Sequence, residues 1–206
     1  RNMEYKLYKN DLPATFKFKN IVAIDTETMG LKPSRDRLCL VQISNGDGVA
    51  HLVQITKNSK SSYKNLKKLL KSRSTTKIFH YARFDIAVLE KNICKIEGPI
   101  FCTKIASKLT RTYGAKHGLK DLCLDLLGIQ LDKQNQTSDW GAEKYRKDQL
   151  EYASKDVLYL HQLKLKLEKL LKRENKVDLA CQCFAFLKTR SALDLEGFED
   201  LDIFAH

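Results

Sequence analysis

The sequence lacks any apolar run that approaches the ~20 residues needed to span a bilayer, and no signal-peptide pattern opens it. It also lacks an internal repeat and a visible boundary between two domains. With 206 residues, the chain is long enough for one sizeable core and marginal for two. We therefore expect a single cytoplasmic domain over residues 3–206 that does not contact a membrane.

Paired metal-ligand spacing is also missing, although the chain has six cysteines. The cysteines are scattered among apolar residues, as is typical of buried thiols in a reducing compartment. Cys181 and Cys183 lie two residues apart, but no second pair or histidine partner follows them. The pattern therefore predicts free thiols and no zinc site.

Acidic residues are fewer than basic ones, with 25 Asp and Glu against 37 Lys and Arg. The net charge of +12 favours polyanionic partners, among which nucleic acid is the commonest for a soluble protein. The other totals, 43% hydrophobic and 30% charged residues, are those of an ordinary globular protein. Composition alone thus favours a nucleic-acid-binding protein.

Two acids follow the most apolar stretch near the start of the chain. Ile21 to Ile24 predicts a strand buried on both faces, and Asp25 and Glu27 come directly after it. Strand side chains alternate, so both carboxylates project from one face and repel each other unless a cation lies between them. The alternative is a polar strand end that leads into a turn at Gly30.

The rest of the pattern predicts an α/β fold with a mixed five-stranded sheet flanked by helices. The first three strands form an antiparallel meander, because Asn45 to Gly48 is a strong hairpin turn. The later strands alternate with helices. The predicted strands are Ile21 to Ile24 with the acids that follow, Leu38 to Ser44, Val49 to Ile55, Lys77 to Tyr81 and Pro99 to Cys102, with an edge strand near Phe16 to Phe18.

Helical periodicity and capping residues predict six helices. One of them is long, and Asp148 with Glu151 resembles a capping box at its start. The predicted helices are Tyr63 to Ser72, a helix that begins at Phe84, Thr103 to Thr110, Leu119 to Leu127, Gln149 to Arg173, and Val177 to Leu187.

Two further acids have positions suited to a shared site. Asp85 lies in the first turn of a predicted helix, where the helix dipole alone would also explain it. Asp156 lies on the long helix, one turn after Tyr152 on the same face. Four carboxylates without imidazole or thiol partners suit Mg²⁺ or Mn²⁺. Two such ions ~4 Å apart can stabilise an in-line displacement at phosphorus.

The order and context of these acids resemble the DEDD superfamily of exonucleases. The three motifs are Asp25-Thr26-Glu27, Asp85 within residues 80–85, and Tyr152 to Asp156. Tyrosine four residues before the last aspartate points to the tyrosine subgroup, which includes ribonuclease D. The resemblance covers nearly the whole chain and implies a ribonuclease H-like (DnaQ-like) fold, two divalent ions and 3′–5′ exonuclease activity.

Further stretches resemble the nanoRNase C group, the alphaproteobacterial short-RNA exonucleases. They include residues 101–113, Ser138 to Trp140 and the ending Asp202 to His206. This resemblance implies hydrolysis of dinucleotides to nucleoside 5′-monophosphates and assembly as an octameric ring. Ribonuclease D proper carries further helical (HRDC) domains, and we expect only a helical extension and a tail here, which would favour short substrates.

The resemblance also implies roles for the site residues. Asp25, Glu27, Asp85 and Asp156 would bind the metal ions, and Tyr152 would orient the attacking water. A phenol with a reference pKa near ~10 is a poor base at neutral pH, so we assign Tyr152 a positioning role.

Substrate contacts are predicted around the acids. Gly30 allows close approach of the backbone, and Met29 or Leu31 could stack on a base, the alternative being a turn with two core residues. His80 could bind phosphate or be a packed strand-end histidine. The complete set of predicted substrate contacts is Thr28, Met29, Gly30, Leu31, His80, Arg83, Phe84, Gln136 and Trp140.

The sequence is therefore compatible with three functions. The leading one is a metal-dependent exoribonuclease for short single-stranded RNA. A general ribonuclease D-like enzyme or a single-stranded DNA exonuclease would share the chemistry. The third is a catalytically silent nucleic-acid-binding scaffold. The stretch from Asp194 to His206 has five acids, interleaved apolar residues and no Lys or Arg, so we also predict a homo-oligomer.

Overall fold

A six-stranded mixed sheet organises the chain, in the order β1-β4-β3-β2-β5-β6. The computed structural model describes residues 4–132, 135 and 137–206. The predicted α/β fold with a mixed sheet is confirmed, with six strands where five were expected. The strands are β1 Glu4–Lys9, β2 Ile21–Thr28, β3 Leu38–Ser44, β4 Val49–Gln54, β5 Thr76–Phe79 and β6 Ile100–Cys102.

The position of the edge strand was predicted wrongly. The strand at this edge of the sheet is β1, which pairs in parallel with β4, whereas residues 16–18 form no strand. Phe16 instead packs its ring edge against His51, with 4.7 Å between ring centroids. Lysines interrupt the apolar residues of β1, a pattern common on edge strands and easily read as an irregular segment.

Within the residues that the structure describes, seven α-helices pack around the sheet. They are α1 Lys64–Leu70, α2 Ala82–Asn92, α3 Thr103–Thr110, α4 Leu119–Leu122, α5 Lys147–Leu158, α6 Leu160–Arg173 and α7 Val177–Leu193. Two π-helical turns, Cys123–Leu127 and Asp194–Phe198, continue α4 and α7. In the described part of the chain, no helix has the length and apolar character needed to cross a membrane.

The long helix predicted from Gln149 to Arg173 is divided in two. Tyr159, with φ −111° and ψ −2°, separates α5 from α6. The division lets α5 lie against β2, β3 and β4 while α6 packs against α3 and β5. At the start of α5 the predicted Asp148 and Glu151 box is absent, and the Arg146 amide donates to Gln149 Oε1 at 2.9 Å.

The central strands hold the core and fix where the site lies. Val22, Ala23 and Ile24 are fully buried in β2, and every residue of β3 is buried. Because β2 and β5 are parallel neighbours, their carboxyl ends meet at one edge of the sheet. The segment from Asp25 to Thr28 and the start of α2 are therefore brought together.

Candidate active site

The carboxyl end of β2 carries the first two acids. Asp25 and Glu27 are two residues apart and so project from the same face of the strand. Asp25 lies directly opposite Gln42 of the antiparallel strand β3. A register shift between Glu27 and Thr28 ends the regular pairing there. Both carboxylates therefore stand where the central strand leaves the sheet.

Asp85 reaches the same edge from α2. After β5, Tyr81 adopts a left-handed backbone conformation with φ 67°, and the helix begins at Ala82. Asp85 lies in its first turn, as predicted, and is only 2% exposed. Its Oδ1 accepts a 2.6 Å hydrogen bond from the Thr26 hydroxyl. The strand that carries the first two acids thus also orients this one.

Asp156 and Tyr152 come from α5, which packs across the central strands. One turn separates them, so both side chains face the end of β2. One oxygen each of Asp25, Glu27 and Asp156 lies within 4.8 Å of the others. The Asp85 carboxyl contacts that of Asp25. The structure therefore brings together all four acids proposed as metal ligands.

Crowding makes these acids hard to ionise together. Burial raises the pKa of Asp25 to about 6. Burial, and then repulsion from the Asp25 carboxylate, raises the pKa of Glu27, Asp85 and Asp156 well above the usual values. Such a cluster becomes fully ionised at neutral pH only when positive charge is brought to it.

The donor set fits Mg²⁺ or Mn²⁺. Within the described part of the chain, the candidate ligand group consists of carboxylates only, which are the hard ligands these ions prefer. Oxygens bound at ~2.1 Å to one Mg²⁺ lie at most roughly 4.2 Å apart. The observed 4.8 Å span therefore needs only a small side-chain adjustment to close around an ion.

Gln42 is a site residue that sequence reasoning missed. It is fully buried, and its Nε2 lies 3.3 Å from Asp25 Oδ2 and 3.4 Å from Glu27 Oε1. In the sequence it is a single polar residue inside an apolar strand, and only the β2–β3 register places it beside the acids. A buried amide in an otherwise apolar strand is the signal that could have identified it.

The acids lie in the wall of a cavity of about 670 Å³. Most of the predicted substrate contacts line this cavity. The lining includes Thr28, Met29, Gly30, Leu31, His80, Phe84 and Trp140, together with Tyr81, Lys104, Lys120 and Lys155, which were not predicted.

Met29 and Leu31 form an exposed apolar rim. They are 53% and 89% exposed, so the alternative of two core residues does not hold. A Cβ at Gly30 would lie 2.4 Å from the Asp36 carboxylate, so any larger residue there would require the Asp36 side chain to move. The segment therefore presents apolar side chains at the cavity mouth, as stacking on a base would require.

His80 lines the cavity as a neutral group. Its Nδ1 is 2.9 Å from the Thr103 hydroxyl. Burial, assisted by the nearby Lys104, lowers the pKa of His80 to about 3. The ring can therefore contribute a hydrogen bond to a phosphate but no positive charge at neutral pH, when Lys104 can supply one.

Trp140 packs against the ring of Tyr152. The indole is 3% exposed and stacks on the Tyr152 ring, with 6.2 Å between centroids and 27° between planes. Tyr145 in turn donates a 2.5 Å hydrogen bond to the Trp140 carbonyl. Burial, and then the charge of Asp156, raises the pKa of Tyr152 far above its usual value, so its phenol stays protonated.

One predicted contact is not at the site, and another lies outside the residues that the structure describes. Arg83 is not one of the described residues that line the cavity. Its guanidinium instead makes two 2.7 Å hydrogen bonds to the Asp194 carboxylate and one of 2.9 Å to the Glu199 carbonyl. Gln136 is the contact that lies outside the described residues, so its role stays a prediction.

Comparison with known proteins adds independent findings. The model of the 3′–5′ exonuclease family matches residues 7–172. Ribonuclease D of Acidiphilium cryptum is 30% identical over 166 residues, which are 81% of this chain and 42% of that protein. The chain thus spans about two fifths of the length of that curated relative.

Solved structures match over the whole chain. Brucella melitensis NrnC bound to pGG is 54% identical, with a TM-score of 0.94 and 100% of both chains covered. Brucella melitensis NrnC with bound Mg²⁺ is 53% identical, with a TM-score of 0.92, and covers 99% of this chain and 100% of that one.

Proposed function

Since the chain belongs to the 3′–5′ exonuclease family, we propose that it hydrolyses very short RNA, down to dinucleotides, releasing nucleoside 5′-monophosphates. The observation that carries this proposal is the meeting of Asp25, Glu27 and Asp156 within 4.8 Å in the wall of a large cavity, with Asp85 beside them. A scaffold that only bound nucleic acid would have no need of this crowding, because each acid raises the energy of the others.

The four acids would hold two divalent ions, Mg²⁺ or Mn²⁺. Asp25 is the best placed to bind both ions, since its carboxyl contacts Asp85 and Asp156, which come from different helices. When bound, such ions acidify water and stabilise negative charge on phosphate oxygens. The NrnC structure with bound Mg²⁺ supports this choice of ion.

The other side chains would position water and substrate. The protonated Tyr152 hydroxyl can hydrogen-bond the attacking water and hold it in line. Trp140 fixes the plane of the Tyr152 ring by stacking on it. Orientation, rather than proton abstraction, is therefore the contribution of Tyr152.

The cavity wall suits a short nucleotide. Apolar Met29 and Leu31 can cover a base, while Lys104, Lys120 and Lys155 supply positive charge for phosphates. The NrnC complex with pGG supports a ligand of this size. The ribonuclease D relative favours a second candidate, removal of nucleotides from longer RNA, with single-stranded DNA as a further substrate of the same chemistry.

Substrate length is the quantity to measure. We expect higher kcat/KM on a 5′-phosphorylated dinucleotide than on a long single strand of RNA, with DNA of both lengths as further arms. Asp25→Asn should abolish hydrolysis on every substrate and leave folding intact. Asp47→Asn, on the exposed hairpin turn, is the matched control and should keep full activity. Preference for the long strand would refute the size claim, and an active Asp25→Asn would refute the site.

The partner and location predictions also remain proposals. Exposed apolar residues of the acidic tail, which we define as residues 194–206, favour self-association into a homo-oligomer. An octameric ring follows only from the resemblance noted above, whereas the proposed cytoplasmic location rests on the scattered cysteines, which are typical of a reducing compartment.

A further inference from the structure

We propose that Gln42 is a positioning residue for the metal-binding acids, holding Asp25 and Glu27 in the arrangement that receives the divalent ion. This inference deepens the proposed function, since it assigns a role toward the same ions. It depends on the geometry between β2 and β3, which is independent of the substrate.

The register of the sheet fixes the position of Gln42. It pairs directly with Asp25 in the antiparallel ladder, and Glu27 is its diagonal neighbour on the same face. Each carboxamide has two N–H donors. The amide nitrogen Nε2 lies 3.3 Å from Asp25 Oδ2 and 3.4 Å from Glu27 Oε1, so one N–H group can point to each carboxylate. A single side chain therefore serves both acids.

The orientation of the amide follows from its neighbours. In the ionised form that binds a metal ion, both carboxylates are acceptors, so the reverse orientation would then place the amide oxygen against two negatively charged groups. In the observed orientation, Gln42 Oε1 is buried and has no hydrogen-bond partner within the described residues. Leaving a buried acceptor unpaired carries a cost, which indicates that the donors are what this position requires.

A neutral donor is the side chain best suited to this place. A lysine here would neutralise the acids and compete with the metal ion, while a glutamate would add to their repulsion. The N–H groups engage one oxygen of each acid and leave the second oxygen available. The contacts exceed 3.2 Å and are weak, so orientation rather than strong stabilisation is their contribution.

Mn²⁺ binding in the absence of substrate tests this role directly. Gln42→Leu keeps a similar volume but removes both donors, and its Mn²⁺ affinity measured by calorimetry should fall at least 10-fold. The Mn²⁺ concentration that gives half-maximal activity should rise by a similar factor, with KM for the dinucleotide little changed at saturating Mn²⁺. Wild-type affinity and wild-type metal dependence in this variant would overturn the proposal.

Gln54→Leu is the matched control. Gln54 is a buried glutamine of the adjacent strand β4 that donates to the carbonyls of Ala142 and Glu143, away from the acids. It should lower the melting temperature while leaving Mn²⁺ affinity unchanged. An equal loss of Mn²⁺ affinity in both variants would show a general effect of strand disruption and refute a specific role.

A measurement on the unmodified protein covers the case in which Gln42→Leu does not fold. The side-chain amide resonances of Gln42 in a ¹⁵N spectrum should shift when Mg²⁺ is titrated, whereas those of Gln54 should not. Unchanged Gln42 resonances at saturating Mg²⁺ would overturn the proposal. Neither binding experiment uses RNA. The test of Gln42 therefore does not depend on whether the proposed substrate is correct.

Discussion

At the scale of single residues, a change at Tyr152 can test its proposed role in positioning water without disturbing the fold. Tyr152→Phe removes the hydroxyl but keeps the ring that stacks on Trp140. We expect kcat on a dinucleotide to fall on the order of 10²-fold, because misplacement of the attacking water is costly. Mn²⁺ affinity and stability should stay close to those of the unmodified protein.

Tyr159→Phe is the control for this change, since Tyr159 lies at the junction of α5 and α6. It should retain full activity. A Tyr152→Phe enzyme with unchanged kcat would exclude the phenol from the reaction and leave the acids alone to position water.

The raised pKa values of the acids predict how stability depends on pH. In the metal-free protein the pKa of Asp25 is raised to about 6, against roughly 3.9 in an unfolded chain. Because the folded state binds this proton more tightly than the unfolded chain does, protonation of Asp25 stabilises the fold. That stabilisation is present at low pH and is lost as pH rises through about 4 to 6. Burial acts in the same direction on Glu27, Asp85 and Asp156.

Urea unfolding with and without Mg²⁺ would measure this effect. The free energy of unfolding contributed by Mg²⁺ should be larger at about pH 7.5 than at about pH 5, because binding requires ionised ligands. Asp25→Asn should reduce that difference. An equal contribution of Mg²⁺ at both pH values would contradict the prediction.

At the scale of secondary structure, the start of α2 is tied to the end of α7. Arg83 lies two residues before Asp85, and Asp194 accepts from Arg83 and also lies 3.2 Å from Arg190. Because Asp194 is largely buried while Arg83 is about one third exposed, Asp194→Ala should cost about 1–2 kcal/mol of unfolding free energy.

Glu97→Ala is the comparison for Asp194→Ala, since Glu97 pairs with Arg73 on the surface. Its cost should stay within about 0.5 kcal/mol. Urea denaturation of both variants would measure the two costs. Equal stability of the two variants would mean that the link between α2 and α7 contributes no more than a surface ion pair.

The elements that sequence predicted well are those with a local signal. The turn from Asn45 to Gly48 defined the β3–β4 hairpin, and Thr103 to Thr110 was confirmed as a helix. The division of the long helix at Tyr159 had no such signal, because neither glycine nor proline occurs there. It is imposed by packing of α5 and α6 against different neighbours.

The site shows the same division between local and distant information. The four acids and Tyr152 occur in recognisable motifs, and the structure brings them together. Gln42 and the partner of Arg83 depend on contacts across 17 and 111 residues, which no local pattern encodes. Contacts such as these two, which arise only from the tertiary fold, were therefore missed.

At the scale of the whole molecule, charge is unevenly distributed along the chain. The net charge is +12, yet the acidic tail contains five acids and no Lys or Arg. Asp194 at its start is held by Arg83 and Arg190, and the Arg190 guanidinium also donates to the Phe198 and Leu201 carbonyls. The tail is thus anchored at its base while its apolar side chains face outward.

Those outward side chains predict where copies of the chain associate. Leu201 and Phe204 are 52% and 70% exposed. Burying such residues against a basic neighbouring copy would remove apolar surface from water and pair opposite charges. Replacing both by aspartate leaves the Asp194 anchor intact but makes burial unfavourable. The mass measured by light scattering should therefore fall toward that of a single chain.

Leu165→Asp is the control for the tail variant, because Leu165 on α6 is 63% exposed and lies outside the tail. If exposure alone governed association, it would dissociate the assembly equally well. We expect Leu165→Asp to leave the mass unchanged, because Leu165 does not belong to the tail sequence in which acidic and apolar residues alternate. Dissociation by Leu165→Asp, with an unaffected tail variant, would place the contact on α6 and contradict the role of the tail.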